Sequence, residues 1–463
     1  MKLYSKFFTA NITLLLILLC SCEKEINNVV LESMDPVSSF SKKPNDPGFA
    51  DNDMVMFWND KAATVLGVGM PQPTRTRNFA IIQIAVHDAL NNIKPKYESY
   101  TLDELRQHAD PNAAVASAAY WAIIGLKRQG SFPVDTWYAE SLSTIPDGKR
   151  KELGITLGKH AAEAIIAERS NDGFTQVVFA SINPPNGVIP GAYRSTVTAI
   201  NFVPTATLFG FRTVPNWGTV TKPYVIESNH QFKPSGPHAL TSNEYLQDYN
   251  EIKVKGARVG GQRTIDEEKS AQFWSENRPS ILWNTFVRKD IENKKIDAWK
   301  TARLFALMHV SMAESINSVL NAAYFYYYWR PETAIRLGSA DGNNNTESDA
   351  NWLPFLSESF TSVSPPVPGY PSAFAAYGGT TAEILRLFYE SDETSIDLTT
   401  TSSNPLVTFP KPSFHFSSFS QAARENSLSL ISLGWDFRKS SLDGEDMGKE
   451  IAAYVFKHHF KEL

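Results

Sequence analysis

Cysteine is almost missing from this chain: 463 residues carry two, Cys20 and Cys22, both near the N-terminus. That excludes a disulfide framework or a thiolate metal site from everything that follows them. An excess of one charge is missing as well. The 44 Lys and Arg are interspersed with 49 Asp and Glu, and no basic patch stands out. A nucleic-acid partner is therefore not expected. Beyond the first 22 residues no continuous apolar run is long enough to span a bilayer, and no internal repeat is visible. Apolar residues are plentiful, at 42% with 12% aromatic. A chain of this length can then bury a sizeable core, in two helical modules or one fused one.

The N-terminus reads as a targeting signal. Lys2 and Lys6 precede an apolar stretch at residues 12–19, and Leu19-Cys20-Ser21-Cys22 follows. This run resembles the lipobox of bacterial lipoproteins, with Cys22 as the lipidated residue. The competing reading is an ordinary cleaved signal or short anchor, but a small residue before a Cys directly after the apolar run favours lipidation. Residues 1–22 are expected to be a signal peptide. Residues 23–50, polar and holding Pro36, Pro44 and Pro47, are expected to be a flexible tether. The mature protein would then be exported and anchored to the cell envelope, at the outer membrane, rather than embedded in it.

Helical periodicity dominates the rest. Met54, Val55, Phe57, Trp58, Ala62, Val65 and Leu66 recur at helical spacing before Gly67. Further helices are predicted over residues 79–93, 112–126 and 149–169. Prolines break the pattern through residues 174–237. Thr241/Glu244 and Thr264/Glu267 fit capping boxes. A long helix is predicted over 296–329, then a loop over 338–370 and a helix over 372–389. Residues 391–416 read as irregular, and helices over 417–433 and 443–461 complete the chain.

Three segments carry chemistry-bearing residues in order. They are Tyr328-Trp329-Arg330-Pro331, Gly369-Tyr370-Pro371-Ser372-Ala373-Phe374, and Ser429-Leu430 through Gly434-Trp435-Asp436-Phe437. Their order and spacing resemble the three-part signature of the vanadium-dependent haloperoxidases and type-2 phosphatidic acid phosphatases: Lys-x6-Arg-Pro, Pro-Ser-Gly-His and Ser-Arg-x5-His. His87-Asp88-Ala89, Asn171-Asp172-Gly173 and Ala239-Leu240-Thr241-Ser242 with Tyr245 extend the resemblance to the bacterial branch, over nearly all of the chain from residue 51. It implies an all-α fold of two helical bundles, at residues 51–225 and 226–463, with the site in the second.

In active relatives a Lys, two Arg, a Ser and a Gly N–H hold a tetrahedral vanadate or phosphate. One His bonds to it and another moves protons. Carried over, the resemblance places the first Arg at Arg330 and the Ser at Ser372. It places the Lys at Ala323, the Gly at Ala373, the acid–base His at Phe374, the second Arg at Leu430 and the covalent His at Asp436. Two of seven positions keep their chemistry. His309, on the same predicted helix as Arg330, lies roughly 30 Å from it by helical rise, and His415 precedes the final helices. No slip of the alignment supplies a His.

The resemblance therefore implies a non-catalytic lipoprotein with a binding or scaffold role, no bound vanadate, no metal and an unidentified ligand. Arg330 and Ser372 would be remnants of an oxyanion site. Arg330 is expected to pair with Asp436, and Phe374 and Leu430 to fill the cup. The alternative is an active haloperoxidase or acid phosphatase with a rearranged site, in which Asp436 attacks phosphorus. His87 and Asp88, on an apolar helix, read as a satisfied core pair rather than a dyad. The loop at Asp341-Gly342-Asn343-Asn344-Asn345 reads as solvated rather than calcium-binding.

Overall fold

The computed structural model describes residues 52–67, 69–179, 186–196, 214–275, 278–356, 364–400 and 410–463. The expectations for the signal peptide, Cys22 and the tether lie outside these residues.

Local chemistry marks where helices start. Proline stands in the first turn of α2 (Gln72–Asn91), α3 (Pro111–Gly125), α9 (Pro279–Lys294) and α11 (Pro331–Arg336), where its missing N–H costs nothing. Asp110 caps α3, and Asp297 caps α10 (Ala298–Tyr326). Thr264 and Glu267 form a full capping box on α8 (Ile265–Trp274). α1 (Asp53–Leu66), α4 (Val134–Ser143), α5 (Lys149–Glu168), the short α6 (Trp217–Val220) and α7 (Asn243–Lys255) complete the first part of the chain. α12 (Ala373–Tyr389), the hairpin β1 (Glu393–Thr399) and β2 (Ser413–Ser418), α13 (Phe419–Leu433) and α14 (Arg438–His458) follow α11.

Among the described residues the fold is all-α apart from that antiparallel hairpin. α10 is its axis. Every residue from Thr301 to Leu320 is buried, so this helix is surrounded rather than amphipathic. It packs on α2, itself buried from Asn78 to Asn91, and on α12 and α14. One apolar cluster runs through these helices from Met54 to Phe460. α3 and α5 cross closely because Gly154 and Gly158 lack a Cβ that would strike the α3 backbone. Among the described residues no helix is long and apolar enough to cross a membrane.

Several boundaries differ from the sequence reading. α10 stops at Tyr326 because Tyr327 adopts a left-handed conformation (φ 50°) and closes onto the Ala323 carbonyl. The aromatic run therefore leaves the helix midway. The cap before α7 is Ser242, which accepts from the Tyr245 N–H, rather than Thr241. Residues 391–416, read as irregular, contain the hairpin. Ile396, Leu398 and Phe416 are buried between exposed neighbours, a period of two that the surrounding polar residues mask. Asn293 and Lys294 of α9 donate to the Ser395 and Glu393 carbonyls and so cover the edge of β1.

One buried acid anchors the loop before α7. Glu314, wholly buried in α10, accepts on Oε1 from the backbone N–H groups of Tyr224, Val225 and Ile226. Its Oε2 has no hydrogen-bond partner among the described residues. Burial pushes its pKa up from 4.5 to about 7, against the pull of those N–H groups and Arg169. A raised carboxyl pKa contributes stability that is complete below the unfolded value and is lost as pH rises through the folded one. The shift corresponds to about 3 kcal/mol between those limits. In Glu314→Gln the amide oxygen keeps the three N–H bonds and nothing titrates. The stability difference between wild type and variant is therefore expected to change with pH between 4.5 and 7. Parallel denaturation curves for the two proteins across that range would contradict this.

Candidate functional site: a buried Arg–Asp–Ser cluster

Three segments converge where α10 ends. The Gly369 N–H donates to the Tyr328 carbonyl (2.7 Å), and the Ser372 N–H donates to the Ser440 carbonyl (3.0 Å). The Ser440 hydroxyl in turn donates to the Gly369 carbonyl (2.5 Å). Gly434, at φ 81°, ends α13 in a left-handed turn that sends the chain back through Trp435 and Asp436 into α14. α14 then passes so close to the start of α12 that a Cβ at Gly444 would collide with the Ser372 carbonyl. Tight backbone approach thus fixes the site.

At its centre the Asp436 carboxylate, 1% exposed, has both oxygens engaged. Arg330 Nη1 donates to Oδ1 at 2.6 Å and the Ser372 hydroxyl donates to Oδ2 at 2.6 Å. Arg330, which immediately precedes α11, also donates from Nε to the Val367 carbonyl (2.8 Å) and from Nη1 to the Trp435 carbonyl (3.0 Å). The Ser372 oxygen also accepts from the Ala375 N–H at 3.3 Å, capping α12. Burial pushes the Asp436 carboxyl above the usual carboxylate range, while the Arg330 charge and the Ser372 hydrogen bond pull it back. Chemically, the three groups satisfy one another.

Apolar side chains surround them. Phe374 and Trp435 meet with ring centroids 5.3 Å apart, in a cluster with Leu430, Leu433, Ala375 and Leu356. The Trp435 indole donates to the Leu356 carbonyl at 2.7 Å. Ala373 and Phe374 border an apolar cavity of about 70 Å³. Ala323 is buried in the last turn of α10.

The structure therefore gathers Arg330, Ser372 and Asp436 as expected and sets Phe374 and Leu430 into the apolar cluster beside them. The carbonyls of Val367 and Trp435, two of the acceptors for Arg330, carry no signal in the sequence, because any residue type supplies a carbonyl.

His87, His309 and His415 each have a partner outside this cluster, although His87 Nε2 and His309 Nδ1 have none among the described residues. His87 Nδ1 lies 3.1 Å from Asp88 Oδ1, and Asp88 accepts from the backbone of Tyr100, Thr101 and Leu102, pinning that loop. His309 stacks on Phe79 and bonds Asn284 (2.9 Å); burial pushes its pKa down to about 3, so it stays neutral. His415 pairs with Asp397 on the exposed hairpin. Asp341 is buried rather than solvated, because its carboxylate takes the Thr346 hydroxyl and the Asn343 N–H. Among the described residues no group of three or more His, Cys, Asp or Glu could hold a metal ion.

Comparison with known proteins agrees with this architecture. Residues 303–463 match the family model of the vanadium chloroperoxidase second helical-bundle domain. The chain is 23% identical over 417 residues to the vanadium chloroperoxidase of Curvularia inaequalis, covering 75% of this chain and 67% of that protein. A bacterial vanadium-dependent iodoperoxidase superposes with a TM-score of 0.70 at 20% identity, over 91% of this chain and 99% of the other. A holo-type bacterial vanadium-dependent chloroperoxidase gives 0.65 at 15% identity, over 88% and 97%. The family model and the chloroperoxidase relative indicate the superfamily of vanadium haloperoxidases and type-2 phosphatidic acid phosphatases.

Proposed function

We propose that this protein is a non-catalytic member of its superfamily, a binding or scaffold protein in which a built-in carboxylate stands where relatives hold an oxyanion. The observation that carries this reading is the bonding of Asp436: one oxygen to Arg330 and the other to Ser372, the two residues that the family motif assigns to the oxyanion. Vanadate does not fit these residues. The retained arginine already faces a carboxylate, the positions corresponding to the second cation pair are Ala323 and Leu430, and no imidazole stands at Asp436 or Phe374. An attack by Asp436 on phosphorus is disfavoured by the same geometry, since its oxygens are buried and engaged.

The test is turnover. Purified protein given orthovanadate, peroxide and bromide, and separately a chromogenic phosphate ester, is expected to convert neither. Conversion of either that disappears in Arg330→Ala would overturn the proposal. Export and lipid attachment at Cys22 belong to the same proposal. Mass spectrometry of membrane-extracted protein is expected to find lipid on an N-terminal Cys22, and an unmodified Cys22 would count against it.

A further inference from the structure

A cavity of about 310 Å³ opens between α7, α8 and α13. Glu425, Leu428, Ser429 and Ser432 line it from α13, at the spacing of a single helix face. Leu430 and Leu433, which pack around Phe374, stand on another face of that helix. The cavity is thus separate from the Arg–Asp–Ser cluster, and its size is that of a small-molecule pocket.

The charged residues on its wall are paired, with one exception. Arg438 donates from Nε and Nη2 to the two Glu251 oxygens, at 2.7 and 2.5 Å. Lys255 donates to Glu267, and Asp266 faces Lys269 at 3.8 Å. Glu425 has no cation within ion-pair reach among the described residues. Its Oε1 accepts from the Ser270 hydroxyl and the Trp274 indole, both at 3.2 Å, and both donors are neutral. Burial pushes its pKa up, against those two bonds. A carboxylate so placed is costly until a cation joins it.

A second group lacks a partner. Ser432 is 3% exposed, lines the cavity, and its hydroxyl makes no hydrogen bond among the described residues. It lies roughly 10 Å of helical rise from Glu425. Leu428 stands between the two on the same face, and Phe414 and Ile431 add apolar wall. An inorganic cation is disfavoured here, because among the described residues no group of three or more His, Cys, Asp or Glu could hold a metal ion.

From this arrangement we infer that the cavity binds a small organic amine, with its ammonium on Glu425, an apolar body along Leu428 and a hydroxyl at the far end on Ser432. The inference goes beyond the reading of the closed cluster and does not depend on it.

The probe is tyramine, which carries an ammonium and a phenol at opposite ends of an apolar body, titrated calorimetrically into the full chain at neutral pH. Saturable binding is expected. Tyrosol, in which a hydroxyl replaces the ammonium, is expected to bind at least about tenfold more weakly, the loss of one charge-assisted bond. Glu425→Gln keeps an oxygen for Ser270 and Trp274, and is expected to weaken tyramine by at least about tenfold. Ser432→Ala is expected to weaken tyramine about threefold and to leave phenethylamine, which lacks the phenol hydroxyl, unchanged. Absent or non-saturable binding of tyramine, equal binding of tyrosol, or an affinity indifferent to Glu425→Gln would overturn the inference. A Ser432→Ala loss shared by phenethylamine would overturn the placement of the hydroxyl. The comparison of tyramine with tyrosol needs no variant, so it decides the matter should either variant not fold.

Discussion

Asp436→Ala is expected to lower folding stability by about 3–5 kcal/mol, the loss typical of removing one partner from a buried ion pair. The reason is what remains. Arg330 is 4% exposed, and its other acceptors, the Val367 and Trp435 carbonyls, are dipoles that cannot neutralise a guanidinium. Ser372 would lose its acceptor as well. Asp436→His, which restores the residue type of active relatives, is expected to lose stability and gain no activity, because it leaves Arg330 facing an imidazole with the other cations still absent. The double variant Arg330→Met/Asp436→Leu is expected to recover most of the loss, since well-packed apolar replacements of buried pairs are often neutral. Denaturant unfolding of the three variants measures this. A loss below about 1 kcal/mol for Asp436→Ala, the range of exposed pairs, would mean that the pair does not hold the site together.

The pair was legible before the structure because it follows from charge. An arginine fixed by a motif and stripped of its anion needs a buried counter-charge, and Asp436 sits where one is required. The long central helix and the capping box at Thr264 were legible for similarly local reasons. The hairpin was not: its buried positions, Ile396, Leu398 and Phe416, are few and lie among Ser and Thr, a pattern shared with loops. The end of α10 was hidden because the aromatic run continues past it, and only the left-handed turn at Tyr327 stops the helix. The apolar cavity beside the cluster was invisible for a different reason. The prolines lining it come from three separate stretches, around residues 72, 279 and 365, and only the fold makes them neighbours.

Oxyanion affinity is where the largest effect is expected. A charge-assisted hydrogen bond contributes about 1.5–3 kcal/mol. With Ala323 and Leu430 at two cationic positions, about 3–6 kcal/mol of oxyanion binding is missing, or about two to four decades of affinity. Asp436 adds a like charge, which at contact distance costs about 4 kcal/mol at intermediate dielectric. Titration of the wild-type protein with orthovanadate, followed by vanadium NMR or calorimetry, therefore tests the closed site most directly. The expected result is no saturable binding; saturable binding that Arg330→Ala abolishes would contradict it.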